Sequence, residues 1–490
     1  MVSLIMSSLD TTVVSTALPK ISTQFHSKDE YTWIFTAYLL GSISFQPMFG
    51  NFADILGRRP SMLFALTLFI ITSLTCGAAQ NMGMLITSRG FQGVAGGGII
   101  SMVNIIIADI VPLKRRGIYM GLTGAVFSFA SIVGPVIGGL ITDNWGWRWV
   151  FYINLPIGII SIIIISIIVK IPTPKGSLMK KIKKIDILGT IFLVLTTIPT
   201  LLALNWGGSK YNWSSKTIIL LFVGSSIGLI IYLFVEWKIA PSPLTPFEIF
   251  KIRNVALSCL ISFTLGVNFF GYANTVGVFY QDGRGLTAIN CGIRMIPVSI
   301  TVSLANILSG YFIGKYGYVQ RYIIFGSISM IITSYLISLF DMDSKPIVEM
   351  FIIGYIGIGV GSILQNTTLI TQQSVEKKYI AIGTTLNNFF RLIGGVMGVA
   401  LIDTVTSNKF KAYYNERYPG TNVNINDIHN IPDGEETYVD AFLIGYRAVL
   451  VPSAILTFIF SLFFGFVPGI GNRKKEKKMN EKQHLNGKSQ

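Results

Sequence analysis

Charge is scarce in this sequence of 490 residues: 13% are Asp, Glu, Lys or Arg, against 51% hydrophobic. One soluble core cannot hide that much apolar surface, and too little polar surface remains to cover it, so a soluble chain is excluded. The mean hydropathy of +0.60 says the same. Cysteine and histidine are scarcer still. Cys76, Cys259 and Cys291 stand singly in or beside apolar segments, which excludes a disulfide framework and a thiolate metal centre. His26, His429 and His484 are scattered through loops and tail, so no histidine metal site is expected. There is no Walker sequence, no nucleophile elbow and no acid-rich cluster; direct use of ATP and enzyme chemistry are not expected, and neither is a bound cofactor. Residues Met1 to Leu9 are apolar but lack a basic start and a small-residue cleavage site, so no removable signal peptide is expected. They read as the beginning of a first span, with a native N-terminal tail ahead of it missing.

What the sequence does have is long apolar runs with basic residues collected between them. The formal charge of +16 is therefore read as a topology signal and not as a nucleic-acid surface. Fourteen runs long enough to cross a bilayer predict an all-α, polytopic membrane protein with 14 transmembrane helices. Six fall in residues 1–170, two in 185–236 and six in 255–467, with a basic linker at 171–184, a connection at 237–254 and a basic tail at 468–490. Arg58 and Arg59, Lys114 to Arg116, the six lysines from Lys170 to Lys184, Lys251 and Arg253, Lys315 and Arg321, and Lys377 and Lys378 all fall on one side of such an arrangement. That side is expected to be the cytoplasm, with both termini in it. The opposite loops hold the sequon Asn212-Trp213-Ser214 and a long polar stretch at 407–440, taken as exofacial. Gly310 to Gly317 echo Gly50 to Gly57, with Gly314 where Asp54 stands, which suggests two repeated six-helix halves flanking an inserted pair.

The stretch Gly50-Asn51-Phe52-Ala53-Asp54-Ile55-Leu56-Gly57-Arg58-Arg59 is a charged turn between two apolar runs, and it resembles the signature loop of the major facilitator superfamily. Other segments resemble the fourteen-helix drug:proton antiporter branch: Leu9-Asp10-Thr11-Thr12 through Leu18-Pro19, Arg89-Gly90-Phe91-Gln92-Gly93, Gly134-Pro135-Val136-Ile137-Gly138-Gly139, and Trp147 through Asn154-Leu155-Pro156. Phe279 to Gln281, Gly292 to Pro297 and Asn388 to Gly395 are similar to fungal members of that branch.

The resemblance implies a proton-coupled exporter of small amphipathic or cationic compounds, powered by a proton gradient, working as a monomer in the plasma membrane. A vacuolar transporter of basic amino acids and a non-transporting nutrient sensor are the alternatives it leaves open. A carboxylate or a guanidinium inside a span is costly and must face a cavity or a partner, so Asp10 and Arg89 are candidates for proton coupling. Gly50, Asp54, Gly57, Arg58 and Arg59 are expected to form a conformational latch, and Gly134, Pro135, Gly138 and Gly139 the antiporter motif, where small residues permit close helix approach. Gln46, Phe127, Asn268, Phe269, Gln365, Asn387 and Arg391 are candidates to line the substrate pocket, and Arg294 is a further charge within the membrane.

Overall fold

The computed structural model describes residues 1–25, 32–169, 171, 185–208, 211–286, 288–340, 344–418 and 432–464. Most of the basic linker, part of the exofacial stretch, the three histidines and the tail lie outside these segments. The described chain is helical throughout, with no strand, and its order is α1 (Val2–Gln24), α2 (Thr32–Ile55), α3 (Arg58–Gly77), α4 (Met82–Ile110), α5 (Leu113–Asn144), α6 (Trp149–Tyr152) and α7 (Asn154–Ile168). Next come α8 (Ile187–Trp206) and α9 (Lys216–Lys238), then a short α10 (Phe247–Phe250). The remainder is α11 (Arg253–Val278), α12 (Ala288–Tyr316), α13 (Val319–Ile337), α14 (Pro346–Leu364), α15 (Asn366–Ser374), α16 (Ile380–Arg417) and α17 (Gly434–Leu462).

Helices are what lipid demands, since a spanning segment must satisfy every backbone donor and acceptor within itself. Ten helices among the described residues are long and apolar enough to cross a bilayer. Their outer faces carry Ile159, Ile160, Ile163 and Ile167 on α7 and Leu220, Ile227 and Ile230 on α9, all exposed. Large aliphatic side chains turned outward in this way fit hydrocarbon, not water. The interior is where the polar side chains go: Ser, Thr, Asn and Gln from most helices are buried and hydrogen-bonded across helix pairs. The sixth apolar run, expected as one helix, is broken at Ile153 into α6 and α7.

Helix pairing repeats in two sets. In the first, α1 packs on α5, α2 on α4, and α3 on both α4 and α7; in the second, α11 packs on α16, α12 on α14, and α13 on both α14 and α17. The sets meet along two seams, α5 against α12 and α2 against α16, which exchange under the same correspondence. Close approach there depends on missing side chains. A Cβ on Gly117 would lie 2.6 Å from the Gly310 carbonyl oxygen, and a Cβ on Gly50 would lie 2.6 Å from Thr385 Oγ1. The helices α8 and α9 pack on each other outside the two sets, and α8 also rests on α2 and α16. Ile43, Leu193, Leu201, Tyr232, Leu244 and Phe389 form the apolar joint that holds them.

Because both seams are made by the same two bodies, wedging one should open the other. Gly310→Val overpacks the α5–α12 seam by about 1–3 kcal/mol. It should raise thiol labelling of a cysteine placed at the buried Thr385, on the α2–α16 seam, by roughly tenfold. The native Cys76, Cys259 and Cys291 are buried and contribute little background. Unchanged labelling would mean that the seams open independently.

Candidate functional site

A fully buried ion pair lies among α1, α3, α4 and α7. Arg89 projects from α4 and Asp10 from α1; their side chains are fully buried and paired, Nη1 to Oδ2, at 2.6 Å. Neither could stay charged there alone, so each supplies what the other lacks. Arg89 Nη1 also donates to Gln92 Oε1 at 2.7 Å, and Arg89 Nε to the Ile34 carbonyl at 3.3 Å. The guanidinium stacks over the Tyr38 ring, 4.4 Å from its centroid.

The carboxylate is held just as firmly. Asp10 Oδ1 accepts from Gln92 Nε2 at 3.0 Å and from Asn154 Nδ2 at 2.8 Å. Both amides also donate to Ser73 Oγ, at 2.7 and 3.1 Å. Four helices thus meet in one network around the carboxylate. Arg89 Nη2 has no acceptor in reach among the described residues, which leaves this network one unused donor deep in the protein. A narrow crevice lined by Leu9, Val13, Ile137, Val150, Ile153 and Ile157 reaches Asp10 and Asn154.

Chemically this is an acid whose charge is balanced inside a low-dielectric medium. Adding a proton to Asp10 would leave Arg89 without its counterion and force the surrounding helices to find another arrangement.

The second charged site lies at the end of α2. Gly57 turns the chain at φ 106°, a conformation that favours glycine, and starts α3 directly at Arg58. Arg58 then bridges two acids, Asp54 Oδ1 at 2.9 Å and Asp109 Oδ2 at 2.6 Å, and donates to the Ala53 carbonyl at 2.8 Å. The latch therefore ties α2, α3 and the end of α4 together within the first set. Asp109 belongs to it although its partnership was not foreseen, and Arg59 stands outside these contacts. Gly50, one turn earlier, is the member that faces the other set.

The antiporter-motif glycines face α1. A Cβ on Gly134 would collide with Thr12 Oγ1, and one on Gly138 would lie 2.7 Å from the Val13 carbonyl. Gly139 faces open space, and Pro135 is exposed within α5. The helix whose packing depends on these glycines is the one that carries Asp10.

Pocket candidates are distributed unevenly. Gln365, at the break between α14 and α15, donates to Thr123 Oγ1 of α5 at 3.1 Å and so crosses between the two sets. Arg391 of α16 donates to Asn388 Oδ1 at 2.6 Å and to the Leu364 carbonyl at 3.3 Å; no carboxylate among the described residues pairs with it. Gln46 is buried with Oε1 unmatched. Phe127 is partly exposed on α5 and Phe269 packs against Phe270. Asn268 and Asn387 spend their amides inside the second set, on Ser453 and on Ser262 with Thr371. Arg294 meets an acid that sequence reading passed over: Glu349, fully buried, pairs with Arg284 at 2.6 Å and Arg294 at 3.1 Å, and accepts from Tyr280 Oη at 2.9 Å.

Residues 1–399 match the Major Facilitator Superfamily. The chain belongs to that family of membrane transporters. It is 36% identical over 409 residues to "Efflux pump dotC" of Dothistroma septosporum, an alignment spanning 83% of this chain and 70% of the relative. It is also 36% identical over 404 residues to "Multidrug transporter protein MdtP" of Bacillus subtilis, spanning 82% and 73%. To "Efflux pump aflT" of Aspergillus parasiticus it is 32% identical over 459 residues, spanning 90% and 88%. Among solved structures, the human organic anion transporter MFSD10 superposes with a TM-score of 0.60 at 14% identity, covering 94% of this chain and 96% of that one. As a major facilitator protein the chain is an integral, multi-pass membrane transporter and not an enzyme.

The ion pair makes a sharp energetic forecast. Asp10→Ala strands Arg89 and should lower stability by about 3–5 kcal/mol, whereas Asp10→Leu combined with Arg89→Met removes both charges and should cost far less than the sum of the singles. Thermal unfolding of the purified variants in detergent measures this; additive losses would show that the two side chains are not coupled.

Proposed function

We propose that this major facilitator protein is a proton-driven exporter, with fourteen spans, of small amphipathic or cationic compounds. The observation that carries the reading is the Asp10–Arg89 pair, a buried and fully hydrogen-bonded carboxylate on the very helix that packs on the Gly134–Gly138 face of α5. The efflux-pump and multidrug-transporter names of the relatives point to export and to drug-like cargo.

With both termini in the cytoplasm, the end at which Gly50 meets Thr385 and Gly117 meets Gly310 is the cytoplasmic end, beside Arg58, Arg116 and Lys377. The conformation described is then closed toward the cytoplasm. A proton arriving from outside neutralises Asp10, releases the guanidinium of Arg89 and weakens the hold of Gln92 and Asn154 on α1. Helix α1 shifts on α5, the two seams part, and the halves rock about a central site near Gln365 and Arg391. The latch at Asp54, Arg58 and Asp109 is remade differently in the opposite state. Substrate then enters from the cytoplasm as the proton leaves, so the gradient supplies the energy and no cofactor is needed. The protein acts as a monomer in the plasma membrane, and the inserted pair α8–α9 completes the fourteen spans.

The experiment is flux in reconstituted vesicles carrying an imposed proton gradient, with tetraphenylphosphonium and lysine as probes, each with and without an uncoupler. Uncoupler-sensitive movement of tetraphenylphosphonium, lost in Asp10→Asn, is the expected result. Movement of lysine alone would reassign the substrate to basic amino acids, and no uncoupler-sensitive flux of either probe would refute proton-driven export.

A further inference from the structure

Besides Glu349, which Arg284 and Arg294 neutralise, two buried acids among the described residues are used by neither the latch nor the Asp10 network. Asp186 begins α8 and Glu236 ends α9, at the same end of the inserted pair, and they are 3% and 5% exposed. Asp186 Oδ1 caps α8 by accepting from the Gly189 amide at 2.8 Å. Its other oxygen, Oδ2, has no donor in reach. Glu236 is pinned from the opposite side: Oε1 accepts from the Leu244 amide at 3.1 Å and Oε2 from the Thr245 amide at 3.0 Å.

The missing side chain of Gly189 is what lets the acids meet. A Cβ there would strike Asp186 Oδ2 and would lie 2.9 Å from Glu236 Oε1, so both oxygens face the same small space. With no side chain at Gly189 nothing separates the two carboxyl groups, and a hydrogen bond between them would close the gap. Two carboxyl groups can make that bond only if one of them holds a proton, because two carboxylates offer four acceptors and no donor. The alternative is two like charges side by side in a buried site.

Nothing else among the described residues balances them. No Lys or Arg forms an ion pair with either acid. Lys238, the nearest cation along α9, rests its ammonium over the rings of Trp237 and Phe234. Tyr232 is the other titratable group facing the pair, with its hydroxyl 2.9 Å from Thr245 Oγ1. The neighbours on α2 present uncharged groups, Asn51 to Ser242 and Ser44 to Thr197, while Asp54 is occupied by Arg58. On α16 the facing side chains are Phe389 and Phe390, and Arg391 is occupied by Asn388. Lys183 and Lys184 lie outside the described residues and are taken up in the test.

We propose that Asp186 and Glu236 form a second proton-binding site, in which one proton from water is held between the two carboxyls, converting a pair of carboxylates into one carboxylic acid hydrogen-bonded to one carboxylate. The site governs more than its own charge. Glu236 holds the Leu244–Thr245 backbone, and Ser242 in the same loop accepts from Asn51 Nδ2 at 2.6 Å, next to Gly50 at the α2–α16 seam. Loss of the proton sets the acids against each other, loosens the 240–246 loop from α8, and thereby slackens the support of α2 where the two sets meet. The inserted pair would then sense proton supply at the end where the seams close.

Infrared spectroscopy of the purified full-length protein in detergent tests this without any transported substrate, so its outcome is separate from that of the export reading. The wild type should show a buried protonated-carboxyl band that shifts in heavy water and disappears as pH is raised. Glu236→Gln and Asp186→Asn should each lose that component, because each leaves one acid facing an amide donor. In thermal unfolding the shared proton stabilises the folded chain at low pH and that stabilisation is lost as pH rises, so the wild-type melting temperature should fall across this range and the Glu236→Gln curve should be flatter. A band retained in both variants, or one whose pH dependence is abolished by neutralising Lys183 and Lys184 with the acids intact, would overturn the proposal. A variant that fails to fold leaves the other to decide.

Discussion

A carboxylate and a guanidinium fully removed from solvent are the constraint on which the first half of this transporter depends. Neither Asp10 nor Arg89 can be buried alone, and neither can leave without exposing the other. Their pairing fixes the rotation of α1 and α4, and the shared amides of Gln92 and Asn154 extend that control to α7 and, through Ser73, to α3. In hydrocarbon, where apolar surfaces gain nothing by meeting each other, such polar ties and close small-residue contacts are what give a helix bundle one arrangement. In the proposed cycle the same ties are the switch, because protonating Asp10 would change what the arrangement must satisfy.

The rest of the bundle is organised so that the change can travel. Helix α1 lies against the glycine face of α5, and α5 is also one side of a seam with the second set. The two seams join the same two sets, so opening one strains the other. The inserted pair lies at the α2–α16 side through the apolar joint of Leu193, Leu201, Tyr232 and Phe389, with its own acids at the base. In the proposed cycle coupling needs no long pathway, since one shared helix and one shared loop join the acids to the seams.

Much of this was legible in the sequence because lipid makes the rules strict. Apolar runs, turn glycines and basic loops announce an all-helical membrane protein before any contact is known, and the motifs place it in its family. What the sequence could not announce was convergence. Asp10, Arg89 with Gln92, and Asn154 belong to three separate motif segments, yet they are parts of one hydrogen-bond network. Asp109 and Glu349 were hidden for a related reason: an acid near a helix end reads as solvated until a partner arrives from a distant helix, as Arg58 and the Arg284–Arg294 pair do. The break at Ile153 did leave a sign that a reading by hydropathy alone passes over: Pro156, three residues on, has no amide hydrogen to give to the Tyr152 carbonyl. Asn268 and Asn387 suit a pocket by type; the structure adds that Asn387 is bonded to Ser262 and Thr371 while Asn268 gives its Nδ2 to Ser453 and keeps Oδ1 unmatched.

If Asp10 is the coupling acid, its proton and the substrate must exclude one another. Proton release on binding tests it most directly, with tetraphenylphosphonium titrated into the purified, weakly buffered protein in detergent while bulk pH is followed. The wild type should release about one proton per bound cation, and Asp10→Asn should bind the cation while releasing none. Equal proton release from both proteins would contradict it, and the coupling acid would have to be sought elsewhere.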